Sequence, residues 1–143
     1  MQDSAAVSAD GERWVLLNAS PDVRQQLTAF SALHPRELRD TPIDAVVLTS
    51  ADVDHCLGLF VLRESSPLAI HATRAVLDSL RDHDALCRTL ERSPEQSRWV
   101  ALEPGQPRAI FGARGRPTGL VVEAIPVPGK LPPHLNGLVG EGP

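Results

Sequence analysis

The segment Ala45–Leu62 constrains the fold more than any other part of this sequence. It opens with the apolar run Ala45–Leu48, which is typical of a strand buried on both faces, and closes with the apolar run Cys56–Leu62, which predicts a buried helix. Between the two runs lie four polar side chains: Ser50, Asp52, Asp54 and His55. Unpaired charges are costly to bury, and open α/β sheets bind ligands where a strand's carboxyl end leads into a helix. The segment therefore predicts a metal site.

The composition narrows the function classes. The chain has 143 residues with a net charge of −4, enough for one domain and without a basic patch, so no nucleic-acid partner is expected. No apolar run reaches the length of about 18 residues that a membrane span needs, so no membrane insertion is expected. The two cysteines, Cys56 and Cys87, form no disulfide framework, and the N-terminus lacks a signal-peptide pattern, which indicates a cytoplasmic location. The motifs of serine hydrolases, P-loop proteins and dinucleotide-binding proteins are absent.

The whole chain predicts alternating strands and helices, and hence an α/β fold. The Asp10-Gly11 pair favours a hairpin turn between the first two strands, of which the second is mostly apolar and therefore central. Ser20 is expected to cap the first helix, with Pro21 as its first residue, and Thr73 is expected to cap another. The predicted strands are Ser4–Ser8, Arg13–Ala19, Ile43–Thr49, Pro67–His71, Arg98–Leu102, Arg108–Phe111 and Gly119–Val127, and the predicted helices are Pro21 to Ala29 or Phe30, Cys56–Leu62, Thr73–Asp82 and a turn or two within Asp84–Arg92, with a loop at Ser31–Pro42.

The end of the chain is unusual for an α/β protein. Residues 128–143 form a tail rich in proline and glycine, and no helix follows the last predicted strand. A sheet of this class normally has both faces covered. We therefore expect residues 1–143 to be either part of a longer chain or a truncated domain that borrows its other half.

Several segments resemble the protein B family of pyrroloquinoline quinone (PQQ) biosynthesis. They are Ala6–Trp14, Leu17–Gln26, Val47–His55, His71–Leu77 and Ala124–Lys130, which together extend over nearly the whole chain. The resemblance implies a metallo-β-lactamase-like αββα sandwich, in which two sheets pack face to face with helices outside. It also implies that the chain corresponds to the N-terminal half of such a protein, without its cysteine-rich N-terminal zinc segment.

The metal signature of this superfamily, His-x-His-x-Asp-His, corresponds here to residues 50–55. Asp54 and His55 match it, whereas Ser50 and Asp52 stand in place of two histidines. A hydrolytic zinc pair is therefore disfavoured. A carboxylate and an imidazole instead form part of the ligand set of a non-haem iron(II) with open coordination positions. The resemblance thus implies iron(II), with zinc(II) as the alternative, held by Asp54 and His55 with Asp52 as a further candidate ligand; Lys130 offers no imidazole where the superfamily has a later histidine.

Structural interpretations of the same residues remain open. Asp54 could cap the helix that follows, and Asp52 could be a ligand, an orienting partner of His55 or a solvated loop residue. Ser50 is interpreted as a turn residue and Cys56 as a small buried hydrophobe. His71 is expected to be a hydrogen-bonded structural histidine. Ser20 and Asp22 either line the pocket or serve only as helix-capping residues.

The resemblance implies an oxidoreductase that hydroxylates the tyrosine ring of a peptide-derived Glu-Tyr precursor, using iron and dioxygen, with Asp54 and His55 as its catalytic residues. The implied partners are a small peptide or quinone precursor and other proteins of PQQ biosynthesis. One alternative is a carrier that transports PQQ or its precursor toward the periplasm. A second alternative is a metal-dependent hydrolase, which the fold permits.

Overall fold

The structure is a computed structural model that describes residues 4–38, 40–62, 67–83, 87–90 and 95–128. Two sheets lie in this part of the chain. The strands are β1 Ala5–Val7, β2 Trp14–Leu17, β3 Ile43–Val47, β4 Leu68–Thr73, β5 Ser97–Leu102, β6 Arg108–Phe111 and β7 Pro117–Val122. The helices are α1 Val23–Ala29, α2 Val53–Cys56, α3 Leu59–Leu62, α4 Arg74–His83 and α5 Cys87–Leu90, with a 3₁₀ turn at Ser31–Leu33.

The larger sheet has five strands in chain order, from β1 to β5. The β1–β2 hairpin is antiparallel, whereas β2, β3, β4 and β5 run parallel to one another. Leu16 on β2 is in register with Val46 on β3, which is in register with Ile70 on β4. The predicted hairpin and the internal position of β2 are therefore confirmed. Because these strands are parallel, their carboxyl ends lie along one edge of the sheet.

Each face of the larger sheet is covered by a different layer. Leu16, Val46 and Ile70 belong to a core that also contains side chains from the helices. The alternate residues of the same strands, such as Val15 and Ala45, pack on the β6–β7 hairpin, where Ile110 is buried. Every residue of β3 is buried, including Asp44, whose carboxylate pairs with Arg13. The other four residues are apolar, because a strand covered on both faces has no solvent-facing side for unpaired polar side chains. The described chain is thus a helical layer, a mixed sheet and a smaller antiparallel sheet.

The first helix begins later than predicted. Asp22, rather than Ser20, occupies the N-cap position, and the helix starts at Val23. The reason lies in the contacts of Ser20: its N–H donates to the Ser4 hydroxyl at 2.7 Å, and its own hydroxyl donates to the Asp22 carboxylate. These bonds attach the loop to the residue before β1 instead of capping the helix. Ser20 is therefore a tether between the loop and β1, and the prediction that it caps α1 was wrong.

Two other predicted elements have different bounds. Two short helices take the place of the single helix predicted at Cys56–Leu62. The first, α2, already starts at Val53, and Leu57 and Gly58 separate it from α3. The last strand ends at Val122 rather than Val127, because Val122 pairs with Arg108, the first residue of β6, and no further partner residue exists in that strand. The tail predicted at residues 128–143 lies, after Pro128, outside the described residues, as does Lys130.

His71 connects the two sheets, which confirms its predicted structural role. Its side chain lies on β4, is 2% exposed and has Nε2 3.1 Å from the carbonyl oxygen of Phe111 on β6. The carbonyl can only accept, so Nε2 carries the proton. Nδ1 is buried and has no partner among the described residues. Burial, the dominant cause, lowers the pKa of His71 below its ordinary value of 6.5.

This lowered pKa predicts a loss of stability in mild acid. Below about pH 6.5 the unfolded chain takes up a proton at His71 that the folded protein does not, so the free energy of unfolding falls as the pH decreases toward the folded pKa. The contribution is at most about 1.4 kcal/mol per pH unit. Urea titrations at several pH values should show a shallower acid dependence in His71→Gln than in the wild type. Equal slopes for the two proteins would contradict this assignment.

Candidate metal centre

Polar side chains gather where β2 and β3 end. Asn18 follows β2 directly, and Thr49 and Ser50 follow β3 after one further apolar residue. Asp52 and His55 lie at the start of α2, the next element along the chain. The parallel arrangement of β2 and β3 brings both strand ends to one edge of the sheet. The sequence-predicted location of the site is thus the carboxyl edge of the larger sheet.

Ser50 is the centre of this group. Its hydroxyl oxygen lies 2.8 Å from Oδ2 of Asp52 and 2.7 Å from Nδ1 of His55. The backbone N–H of Asp52 also donates to it, at 3.1 Å. Ser50 therefore does more than form a turn, because it joins the side chains of Asp52 and His55, two of the predicted ligands.

Asn18 and Thr49 form a second set of contacts that reaches Nδ1 of His55. Asn18 has a φ of 61°, a left-handed conformation that asparagine adopts more readily than most residues. Its side-chain oxygen accepts hydrogen bonds from the N–H of Thr49 at 2.9 Å and from the hydroxyl of Thr49 at 3.1 Å. The Thr49 hydroxyl in turn lies 3.4 Å from Nδ1 of His55. Asn18 thus fixes a hydroxyl that faces the imidazole.

Backbone bonds hold the loop after β2 against the helices. The N–H of Ala19 donates to the carbonyl of His55 at 2.7 Å, and the N–H of Gly58 donates to the carbonyl of Ala19 at 2.8 Å. A Cβ atom at Gly58 would lie 2.4 Å from the carbonyl oxygen of Ser20, so only glycine permits this approach. The position of His55 therefore depends on main-chain contacts as well as on side chains.

Asp54 is the exposed member of the predicted ligand set. It lies in the first turn of α2, and its carboxylate makes no hydrogen bond or ion pair within the described part of the chain. The N-cap position belongs to Asp52, whose side chain makes no capping bond. The structure thus does not support the interpretation of Asp54 as a helix cap. Asp54 offers a free carboxylate to solvent, one residue before His55.

The described residues supply only part of a coordination shell. Within the described ranges, no three His, Cys, Asp or Glu side chains are arranged to hold a metal ion. The available donors at the carboxyl edge are the Asp54 carboxylate, the second oxygen of Asp52 and Nε2 of His55, which makes no hydrogen bond to any described residue. Carboxylate and imidazole ligands suit iron(II) and zinc(II). These residues fit part of a metal site, and a complete site requires at least one further donor from outside the described ranges.

The other residues considered as functional have structural roles. Cys56 is buried, with its sulfur 3.8 Å from the carbonyl of Ala51, as expected for a small core residue. Ser20 bonds to both Ser4 and Asp22, and no hydrogen bond joins Ser20 or Asp22 to His55. Asn18 and Thr49 were missed as functional candidates, because an uncharged amide and a hydroxyl carry no metal-site pattern. The position of Asn18 directly after a strand was the available signal.

An apolar groove of about 480 Å³ opens beside Thr49 at the same edge. Arg74, at the start of α4, contributes a cation to its lining and is paired with Asp78 at 3.9 Å only on the surface. The groove therefore places an apolar surface, the Arg74 cation and the Glu123 carboxylate beside Thr49, whose hydroxyl contacts His55. The remaining lining residues are Val47, Leu48, Thr73, Ala75, Leu102, Pro104, Val122, Ala124, Ile125, Pro126 and Val127.

Comparison with protein families supports the fold expected from the resemblance. Residues 13–141 match the model of a beta-lactamase superfamily domain. Within the described residues, no helix has the length and apolar character required to cross a bilayer.

Curated relatives share the sequence over almost all of this chain. It is 50% identical over 139 residues to coenzyme PQQ synthesis protein B of Methylobacterium nodulans, covering 94% of this chain and 42% of that protein. It is 46% identical over 140 residues to the Xanthomonas oryzae protein of the same name, covering 97% of this chain and 44% of the relative. The chain thus spans less than half the length of these relatives.

A solved structure agrees with the sequence relationship. The Zn²⁺-bound PqqB of Methylobacterium extorquens superposes with a TM-score of 0.80 at 42% identity, over 92% of this chain and 42% of that one. The metallo-β-lactamase-like fold and the resemblance to protein B are therefore confirmed. Together, the family match, the relatives and this structure show that the chain belongs to the beta-lactamase superfamily, in which it is similar to coenzyme PQQ synthesis protein B.

Proposed function

We propose that the chain acts in PQQ biosynthesis, as the part of an iron-dependent hydroxylase that holds the metal by Asp54 and His55. The substrate is the tyrosine ring of a peptide-derived Glu-Tyr precursor. The observation that carries the proposal is the arrangement at the end of β3. His55 is held through Nδ1 by two hydroxyl groups, whereas its Nε2 atom and the neighbouring Asp54 carboxylate have no partner among the described residues.

The residues at positions 50 and 52 favour an oxygenase over a hydrolase. Binuclear hydrolytic centres use several imidazoles, but Ser50 and Asp52 stand at two signature positions, and the Ser50 hydroxyl is engaged with Asp52 and His55. A mononuclear iron(II) site needs only two histidines and one carboxylate, and leaves coordination positions open for small molecules. Asp54 and His55 supply one carboxylate and one imidazole of such a set.

When bound, iron would supply the activation of dioxygen, which no side chain of the protein can provide. One oxygen atom of dioxygen replaces a ring hydrogen as a hydroxyl group, and the other leaves as water. The balance requires two electrons and two protons, which a two-electron reductant supplies. The protein's own contribution is to position the imidazole and to bind the ring beside it.

The groove beside Thr49 fits an acidic aromatic precursor. Its mostly apolar lining suits a phenol ring, and the exposed guanidinium of Arg74 suits a carboxylate of a Glu-Tyr unit, which has to bind away from the Glu123 carboxylate in the same lining. The same groove also supports the second candidate function, a carrier of PQQ or its precursor, because carriage requires a binding surface but no metal. The two functions therefore differ in their need for Asp54 and His55.

A turnover experiment tests the proposal. A protein of the relatives' full length that carries this segment is loaded anaerobically with iron(II), because the described residues supply only part of the coordination shell. It is then mixed with the Glu-Tyr precursor and a reductant, and exposed to isotopically labelled dioxygen. We expect mass spectrometry to detect one labelled oxygen atom on the tyrosine ring. The metal-free and zinc-loaded chains are the matched controls and should give no product. Precursor binding without any hydroxylation in the iron-loaded sample would contradict the oxygenase proposal and favour the carrier.

A further inference from the structure

We propose that Ser50 and Thr49 are positioning residues that hold His55 as its Nδ1–H tautomer and so leave Nε2 as the only lone pair of the neutral ring. The tautomer follows from the hydrogen bonds alone. Its consequence, that the metal binds through Nε2, rests on the proposed function. Two hydroxyl groups, those of Thr49 and Ser50, reach Nδ1 of His55.

The first path starts at the backbone of Thr49. A backbone N–H can only donate, so the Asn18 side-chain atom 2.9 Å from it must be the amide oxygen. This oxygen can only accept, so the Thr49 hydroxyl, 3.1 Å away, must donate its proton to Asn18. The hydroxyl then has only lone pairs to offer Nδ1 of His55, at 3.4 Å. This contact is favourable when Nδ1 carries a proton.

The second path runs through Ser50 and leads to the same tautomer. The Asp52 carboxylate can only accept, so the Ser50 hydroxyl donates its one proton to Oδ2 at 2.8 Å. Its two lone pairs are then available for the N–H of Asp52 at 3.1 Å and for Nδ1–H of His55 at 2.7 Å. The reverse assignment, with Ser50 donating to Nδ1, would leave two acceptor oxygens 2.8 Å apart without a proton between them. Ser50 therefore uses its full hydrogen-bonding capacity.

This assignment gives Asp52 a defined role. One of its oxygens accepts the Ser50 proton, and the Ser50 oxygen accepts the His55 proton, so Asp52 orients the imidazole through Ser50. A histidine that binds a metal commonly donates its other ring N–H to an oxygen atom, and loss of such a partner typically weakens metal affinity by about 10- to 100-fold. Here the serine hydroxyl serves as that partner. The replacement of a signature histidine by Ser50 is thus compatible with metal binding at His55.

The tautomer can be measured directly in the metal-free chain. Long-range ¹H–¹⁵N correlation spectra of ring-labelled histidine, recorded in mildly alkaline solution, distinguish a protonated ring nitrogen from one with a lone pair. We expect His55 to show Nδ1 protonated and Nε2 unprotonated. A spectrum with the proton on Nε2 would overturn the proposal. This result depends on neither a variant nor catalytic activity, so it stands apart from the turnover experiment.

Variants test whether the tautomer matters for metal binding. In Ser50→Ala we expect the Nδ1–H signal to weaken or to average with the other tautomer, and the affinity for Zn²⁺, measured by competition titration, to fall about 10- to 100-fold. Ser50→Thr keeps the hydroxyl and should restore both signals. Ser31→Ala, at an exposed serine, is the matched control and should change neither. A shifted tautomer in Ser50→Ala with unchanged Zn²⁺ affinity would overturn the positioning role.

Discussion

Replacement of Gly58 with alanine is expected to lower the free energy of unfolding by about 3 kcal/mol or more. The added Cβ would lie 2.4 Å from the carbonyl oxygen of Ser20 and 2.8 Å from that of Ala19. Both contacts are with backbone atoms, which cannot rotate away as a flexible side chain can. Relief requires the loop after β2 to separate from the helices, which would break the 2.8 Å bond from Gly58 to Ala19. Urea denaturation monitored by circular dichroism measures the change.

Gly11→Ala is the matched control for this substitution. Gly11 has a φ of 78°, so alanine there is strained, but no atom lies within 4 Å of the added Cβ. Its cost should be only the conformational cost of a left-handed alanine, about 1–2 kcal/mol. A Gly58→Ala protein as stable as the Gly11→Ala protein would show that the loop does not pack on the helices as described.

The second large effect is expected in metal binding. His55→Ala removes the imidazole ligand, and Asp54→Ala removes the neighbouring carboxylate. We expect each substitution to reduce the affinity for iron(II) by at least about 100-fold, more than the loss of an outer partner of a ligand. Because Asp54 is exposed and makes no hydrogen bond within the described residues, Asp54→Ala should leave the unfolding free energy nearly unchanged. Anaerobic titration followed by elemental analysis measures the affinity.

Two exposed residues that are not among the proposed ligands provide controls. His34→Ala removes an exposed imidazole whose Nε2 lies 2.9 Å from the carbonyl oxygen of Thr28. Glu103→Ala removes an exposed carboxylate from the turn after β5. Neither change should alter the iron affinity. If Asp54→Ala and His55→Ala bind iron as tightly as these controls do, the proposed ligand assignment is wrong.

The larger elements of the fold were predictable because their signals are local. The apolar run of β3 indicates burial on both faces, and the Asp10-Gly11 pair indicates the hairpin before β2; the structure confirms both. The bounds that were wrong depend on distant partners. Ser20 lost its predicted capping role to a contact with Ser4, sixteen residues away, and the last strand ends where β6 no longer offers a partner. Such pairings are not encoded in a short window of sequence.

The candidate site was predictable in place but not in detail. The charged residues between a buried strand and a helix indicated the carboxyl edge of the sheet, where the structure places them. The hydrogen bonds from Asn18 through Thr49 to His55 bring together residues more than thirty positions apart. Their geometry depends on the parallel register of β2 and β3. The contact between Ser50 and His55 spans only five residues, but a lone hydroxyl between a strand and a helix has no metal-site pattern, so Ser50 was interpreted as a turn residue.

The central claim is that Asp54 and His55 bind one metal ion at the end of β3. A crystal structure of the iron-loaded chain, with the metal located by anomalous diffraction at its absorption edge, tests this claim most directly. We expect an ion bonded to an Asp54 oxygen and to Nε2 of His55, each at about 2.0–2.2 Å, the range that such ligands show on zinc(II). An ion bound elsewhere, with both side chains outside bonding distance, would contradict it.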